Sequence, residues 1–443
     1  MTADEMDRLL ALLRVPSISA SPDHDADTRR AAEMIADELR HAGAATEVRE
    51  TEGHPLVLGE VPAAGGAPGA PRVLIYGHYD VQPPGDLDLW TSPPFEPTVR
   101  DGDLYARGAS DDKGNLFMLI AAVQRLAAEG RLPVRIGFVV DGEEESHGVS
   151  AEEYLAGPEA AGALACIVFD SPMIAPGRPA ICSGLRGVVA RRVRVRTAEG
   201  DGHSGMYGGA ALSAAHSLMA ILSAVTPRDG RLPEVLYEGV LPAGRAEVEA
   251  WHSLPPGERA LADAGLRPAD AGAADGFYMR TLGGPSVDVH GLSCGDTAAF
   301  ATIVPGYAEA TLSLRVAPGQ DPVRMGAALD GLLRAARPDG ADLVIEELGA
   351  ARPAALDPGH PVLAAAARGI ARATGWRVAP VRTGGTIPVI AALVAAGIPT
   401  VLTGFGLQTD RIHSPDEHIR VDHLEIGTRA AMAIIEELGA LQL

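Results

Sequence analysis

A chain of 443 residues with 47% hydrophobic content can bury a large core unaided, and its length alone allows about three domains. Its 37 lysines and arginines are outnumbered by 58 aspartates and glutamates, and the formal charge of -21 repels phosphate backbones and anionic lipid. Neither a nucleic acid nor a membrane is an expected partner. Cys166, Cys182 and Cys294 are odd in number, widely spaced and without a Cys-x-x-Cys pair, so they read as buried small hydrophobes, not as a disulfide framework or a thiolate zinc site. The first residues put acids ahead of the apolar LLALL, the reverse order of a signal peptide, and no apolar run reaches membrane-spanning length. The expected compartment is the cytoplasm.

Apolar residues at helical spacing over 6–13 and 28–42 predict two opening helices, the second stopped by Gly43. A Gly- and Pro-rich loop at 63–71 follows. Three short apolar runs come next, RVLIY at 72–76, VRIGFVV at 134–140 and CIVF at 166–169, with a helical pattern at 115–128 between the first two. That alternation predicts a βα sheet buried on both faces. After Gly184 the pattern becomes strict alternation, RVRVR at 192–196 and TLSLRV at 311–316, which indicates half-exposed antiparallel strands. Helices at 210–224 and 322–336 and a strand near 343–346 complete a separate α+β unit. From about His360 the first style returns: a helix at 361–373, a strand at 376–381, a helix from Pro388, the strand PTVL at Pro399 and a closing helix from Val421. The expected fold is an α/β catalytic domain, mostly parallel sheet flanked by helices, made of 1–185 and 357–443, with an α+β domain of 186–356 inserted into it.

Acids and histidines recur where the apolar runs end. RVLIY leads into Gly77-His78-Tyr79-Asp80, at the carboxyl end of a strand, where α/β sites sit. A metal-bound histidine commonly donates its other ring N–H to a carboxylate, and Asp80 suits that orienting role. Asp111 and Asp112 precede the helix at 115–128. Asp141, Glu143, Glu144 and Glu145 follow IGFVV, and four acids in five residues call for a cation. Asp170 ends CIVF. Carboxylates and imidazoles without thiolates suit catalytic zinc, manganese or cobalt. Two ions with one bridging carboxylate require two histidines and three acids, and the second histidine is expected in RIHSPDEH at 411–418.

Longer stretches then carry a family resemblance: YGHYDVQPPGDLDLWTSPPFEP at 76–97, LYARGASDDKG at 104–114 and HSGMYGG at 203–209. The chain resembles, over nearly its whole length, the di-metal amidohydrolases that include carnosinase-type dipeptidases, aminoacylase, carboxypeptidase G and succinyl-diaminopimelate desuccinylase, and most of all the dipeptidase branch. The resemblance implies His78 and Asp170 on one ion, Glu145 and His413 on the other, Asp111 bridging, and Glu144 as general base. It implies that the inserted domain is a ferredoxin-like lid that also forms a homodimer. There His203 would reach the partner subunit's site, Arg315 would hold the substrate carboxylate and Thr302 would make a nearby contact. Thr386, in GGTIP, would be a substrate contact from the catalytic domain. Arg315 also falls on the polar face of TLSLRV. Two departures stand out: Ser146-His147 comes before Gly148, so the glutamate run admits a second register with Glu143 and Glu144 as the pair, and Gly202 precedes His203 where the family has Leu. His147 reads as a surface or outer residue, not a ligand.

The expected reaction is hydrolysis of a dipeptide amide bond. A water between two divalent cations, Zn2+ first with Mn2+ or Co2+ as alternatives, would lose its proton to Glu144 and attack the scissile carbonyl. His203 would stabilise the oxyanion, and the bidentate fork of Arg315 calls for a free carboxylate on the substrate. An N-acyl-amino-acid deacylase would use the same residues. A non-catalytic metal-binding homologue is the third reading, disfavoured because a pure binder needs no spare base.

Overall fold

The computed structural model describes residues 1–66, 69–146, 148–296, 298 and 300–441. The chain forms two compact units, one of Met1–Ser183, Leu356–Val381 and Val389–Leu443, the other of Gly184–Ala355 and Arg382–Pro388. Within the loop expected at 63–71, residues 67 and 68 lie outside the described residues.

The first unit is built on a six-stranded sheet. Its order is Ala45–Arg49, Leu56–Val61, Arg135–Asp141, Arg72–His78, Ala165–Phe169, Thr400–Thr403. The last four strands are parallel, while the first two pair antiparallel at one edge. Val73, Leu74, Ile75, Val139, Val140 and Ile167 are all fully buried, as continuous apolar runs require in a sheet covered on both faces. The helix Lys113–Ala128 is buried nearly all round from Lys113 to Val123, which marks it as sandwiched in the core and not resting on the surface. The helices Pro361–Thr374 and Val421–Gly439 cross closely: a Cβ at Gly369 would come within 3 Å of the Ala433 and Ile434 main chain.

The second unit runs strand Gly187–Arg196, helix Ala214–Ser223, strands Ser286–Ser293 and Tyr307–Val316, helix Pro322–Ala335 and strand Asp342–Ala351. The sheet order is Ser286–Ser293, Tyr307–Val316, Gly187–Arg196, Asp342–Ala351, antiparallel throughout. This βαββαβ path, with the first and third strands central, is the ferredoxin-like topology. Val189, Val193, Leu312 and Leu314 pack with Leu218, Ile221, Leu329 and Leu333 of the two helices. Two short helices, Arg245–Trp251 and Gly257–Asp263, lie in the long connection before the second strand.

One assignment is corrected. Thr386 was expected from the catalytic domain, but Arg382–Pro388 groups with the second unit. The cause is Arg382, a buried guanidinium that donates to Glu247 Oε1 at 2.8 Å and Oε2 at 3.2 Å and to the carbonyls of Leu241 and Pro242. Those bonds fasten the segment to the connection around Arg245–Trp251. Among the described residues no helix is long and apolar enough to cross a membrane.

Candidate metal centre

Because Arg72–His78, Arg135–Asp141 and Ala165–Phe169 are parallel, their carboxyl ends open on one edge of the sheet. His78, the Glu143–Glu145 turn and Asp170 therefore converge. Asp111 arrives from the turn before Lys113–Ala128, through a cis Asp111–Asp112 peptide, and His413 from the loop between Thr400–Thr403 and His418–Arg420. The Asp111 carboxylate stands between the two imidazoles, with Oδ1 3.1 Å from His78 Nε2 and Oδ2 2.9 Å from His413 Nε2. His413 Nε2 is also 3.2 Å from Glu145 Oε1. The ligand atoms of His78, Asp111 and Asp170 lie within 4.8 Å of one another, as do those of Asp111, Glu145 and His413. The two triads share one carboxylate.

The charge in this cluster is unbalanced. Burial, then the nearby carboxylates of Asp111, Asp112 and Glu144, push Asp170 well above the usual range. Burial pushes Glu144 up to about 7, with His78 opposing and Glu145 and Asp111 reinforcing it. Burial alone would lower His78, yet Asp111 and Asp80 raise it, and hydrogen bonds to Asp111 and Glu145 raise His413 to about 10. Burial works upward on Asp111, but His413 and His78 pull it below the carboxylate range. These upward shifts mark a cluster that is short of positive charge. Oxygen and imidazole nitrogen donors gathered this closely fit divalent cations, which would supply that charge.

The two imidazoles are held differently. His78 is fully buried, with Nδ1 3.2 Å from the Asp80 carbonyl and 3.3 Å from Asp80 Oδ1. Asp80 Oδ2 accepts from Ser19 Oγ at 2.6 Å and Glu145 N at 3.0 Å, so one carboxylate steadies both a histidine and the glutamate turn. The His413 side chain is 51% exposed, and its loop carries left-handed backbone at Arg411, His413 and Asp416, at an expected cost on the order of 1–2 kcal/mol each. Asp416 anchors that loop by accepting from Thr91 N at 2.8 Å and Thr91 Oγ1 at 2.7 Å.

Glu143, the alternative member of the glutamate pair, is engaged elsewhere: Oε1 accepts from Thr51 Oγ1 and Ser150 Oγ, and a Cβ at Gly53 or Gly148 would collide with its carboxylate. Glu144 takes no hydrogen bond from a described residue. His147 lies outside the described residues. Sequence reasoning missed Gln82, which donates to Glu145 Oε2 at 2.9 Å, and gave no role to Asp112, whose Oδ2 accepts from His78 N at 3.1 Å. It also missed Lys113, a buried ammonium that donates to Leu12 O at 3.3 Å and Val15 O at 2.7 Å and is lowered by burial to about 7. Gln82 and Lys113 both lie inside the quoted motifs, but nothing in their spacing announces a partner.

The remaining predicted residues belong to the second unit. Gly202–His203 pairs with Ile303–Val304, and Ser204 N donates to Thr302 O at 2.9 Å, so His203 and Thr302 share a short ladder. Gly205 N donates to His203 Nδ1 at 3.0 Å, which leaves the proton of the neutral ring on Nε2. Arg315 Nη1 donates to Thr386 Oγ1 at 3.2 Å, and Thr386 Oγ1 donates to Arg186 O at 2.6 Å. Arg186 is buried, and burial and then the Arg315 charge lower it to about 10. Among the described residues neither arginine forms an ion pair with a carboxylate.

A parallel α/β sheet that gathers two imidazoles, three carboxylates and an unengaged glutamate at its strand ends defines a metal-dependent hydrolase. Residues 74–437 match the family described as Peptidase family M20/M25/M40. The cysteinylglycine-S-conjugate dipeptidase of Corynebacterium striatum is 31% identical over 368 residues, spanning 81% of this chain and 79% of that protein. The crystal structure of human carnosine dipeptidase 1 is 25% identical with a TM-score of 0.78, covering 99% of this chain and 96% of the human one. The M20-family metallo-carboxypeptidase Sso-CP2 of Sulfolobus solfataricus is also 25% identical, with a TM-score of 0.85 over 99% of this chain and all of that one. The chain belongs to peptidase family M20/M25/M40 and is a metallopeptidase.

Proposed function

We propose that this protein hydrolyses the amide bond of dipeptides that end in a free carboxylate. It would use one divalent cation on His78, Asp111 and Asp170 and a second on Asp111, Glu145 and His413. The observation that carries the reading is the pair of ligand triads sharing Asp111, with the unengaged Glu144 beside them. The corynebacterial relative and the human structure are dipeptidases by name, and we carry that substrate class to this chain. The donor set, free of thiolate, favours zinc, with manganese and cobalt as the other ions it suits.

Bound there, two divalent cations supply Lewis acidity and bring the pKa of a water toward neutrality. Glu144, whose burial gives it a high proton affinity, takes the proton of the attacking water and returns it to the leaving amine. Asp80 keeps the His78 ring in place. His203 of a second copy donates its Nε2 proton to the developing oxyanion, so the working form is a homodimer. Arg315 takes the substrate carboxylate in its fork, steadied by Thr386, and Thr302 makes a further contact from the His203 ladder. The compartment we assign is the cytoplasm.

The test is a hydrolysis panel with metal-reconstituted protein: dipeptides, β-alanyl dipeptides and N-acyl amino acids. Turnover of dipeptides is expected. Turnover of N-acyl amino acids alone would make the protein an aminoacylase-like deacylase. Cation binding with no turnover of any substrate would make it a non-catalytic homologue.

A further inference from the structure

Glu417 shares a loop with His413 but belongs to neither triad, and it is fully buried. Its carboxylate takes four hydrogen bonds. Oε2 accepts from Arg107 Nη1 at 2.6 Å and Gly108 N at 3.0 Å, and Oε1 accepts from Ser110 N and Asp111 N, both at 3.0 Å. Its main-chain carbonyl accepts from Ala106 N at 3.1 Å. Arg107, itself 1% exposed, also donates through Nη2 to Pro83 O at 3.2 Å. All but one of the carboxylate's donors are main-chain N–H groups of the segment that delivers Asp111. The bond to Asp111 N reaches the bridging residue itself.

We propose that Glu417 is a positioning residue that ties the His413 loop to the Asp111 segment and so sets the spacing of two ligands of one cation. The inference rests on the reading of Asp111, Glu145 and His413 as ligands. His413 is half exposed and sits on left-handed backbone, so packing does not hold its ring against Asp111. An anchor in the loop must do so, and Glu417 reaches directly from that loop to Asp111. Only a carboxylate satisfies the four donors at once. An amide of the same shape turns its NH2 toward an N–H or a guanidinium, and the contact becomes repulsive.

The test is a cobalt(II) titration of the full-length, metal-stripped protein, followed by calorimetry and by the visible absorption of the bound ion. Wild type is expected to take two equivalents. Glu417→Gln should weaken one equivalent by about 10- to 100-fold, the usual loss when a group supporting a metal ligand is removed. Its absorption should change, and the other equivalent, which shares Asp111 but not the His413 loop, should weaken less. Glu5→Gln, which loses a contact with Arg125 elsewhere in the same unit, serves as the control and should leave both equivalents unchanged. Should Glu417→Gln fail to fold, Arg107→Lys keeps the carboxylate but loses the guanidinium fork, and it should weaken the same equivalent by about tenfold. Unchanged affinities and spectrum in the folded variant overturn the proposal, as does equal weakening in the control. Fewer than two equivalents in wild type would overturn the cation reading itself, and the proposal with it.

Discussion

Around His78 the first unit draws Asp80, Asp111, Asp112, Asp170, Glu144 and Glu145 together against two imidazoles, whereas in the second unit Arg186 and Arg315 stand beside each other with no paired carboxylate among the described residues. Both arrangements are costly for a chain alone, because like charges withdrawn from water repel. A structural ion pair such as Arg382 with Glu247 shows what balance looks like in this protein. The imbalance is informative in each place. One unit is short of positive charge and the other of negative charge, which suits the cation site and the carboxylate site we propose.

The comparison can be broken at the balanced pair first, where the largest effect is expected. Glu247→Ala leaves a buried Arg382 without its carboxylate and should cost about 3–5 kcal/mol in denaturant unfolding. A loss below about 1 kcal/mol would mean that the carbonyls of Leu241 and Pro242 suffice. Next, Glu144→Gln should lower kcat by at least about a hundredfold while metal analysis finds both cations retained. An ion lost there while Glu145→Gln keeps both would shift the register to Glu143 and Glu144 as the pair. His203→Ala, which removes the proposed oxyanion donor, should cost about 3 kcal/mol in transition-state stabilisation. Mixed after reversible dissociation, His203→Ala and Glu144→Gln subunits should regain up to about half of wild-type activity per heterodimer, because one site then combines both intact residues. A mixture as inactive as its parents would place His203 in its own subunit's site.

Smaller effects sharpen the positive side of the comparison. Arg315→Ala should weaken dipeptide acids by about 10- to 100-fold and their C-terminal amides little, the loss of a charge-assisted bidentate contact. Equal losses would remove Arg315 from recognition. Smallest is a partly buried pair: Arg125 holds Glu5 down to about 2 from 4.5. Its contribution, about 1 kcal/mol once desolvation is set against the ion pair, is fully present above pH 4.5 and lost as pH falls through about 2. The stability difference between wild type and Glu5→Gln should therefore shrink over that window.

Much of this was legible in the sequence where burial is two-sided. RVLIY, IGFVV and CIVF announced the central strands because both faces are covered, and the acids that end them gather where we propose the cation ligands. The edge strands Ala45–Arg49 and Ser286–Ser293 were missed. The first is short and half exposed, and the second breaks its alternation at an irregularity between Val289 and Gly291. The helix expected at 210–224 begins only at Ala214. The strand expected at 376–381 is Ala379–Thr383, and its last residues lead into the segment that Arg382 fastens to the second unit. Supports such as Gln82, Ser19 and Glu417 act through hydrogen bonds to groups distant in sequence, and no periodicity records such bonds.

The ammonium of Lys113 closes the end of the helix Ala3–Leu13 by reaching Leu12 O and the following Val15 O. The chain's first helix is therefore part of the loop that carries Asp111, although it contributes no ligand. Trimming residues 1–15 would strip the Lys113 amine of both carbonyls and open the region two residues from Asp111 to water. Screens of shortened variants should therefore measure cation binding, because this helix end braces the segment that delivers Asp111.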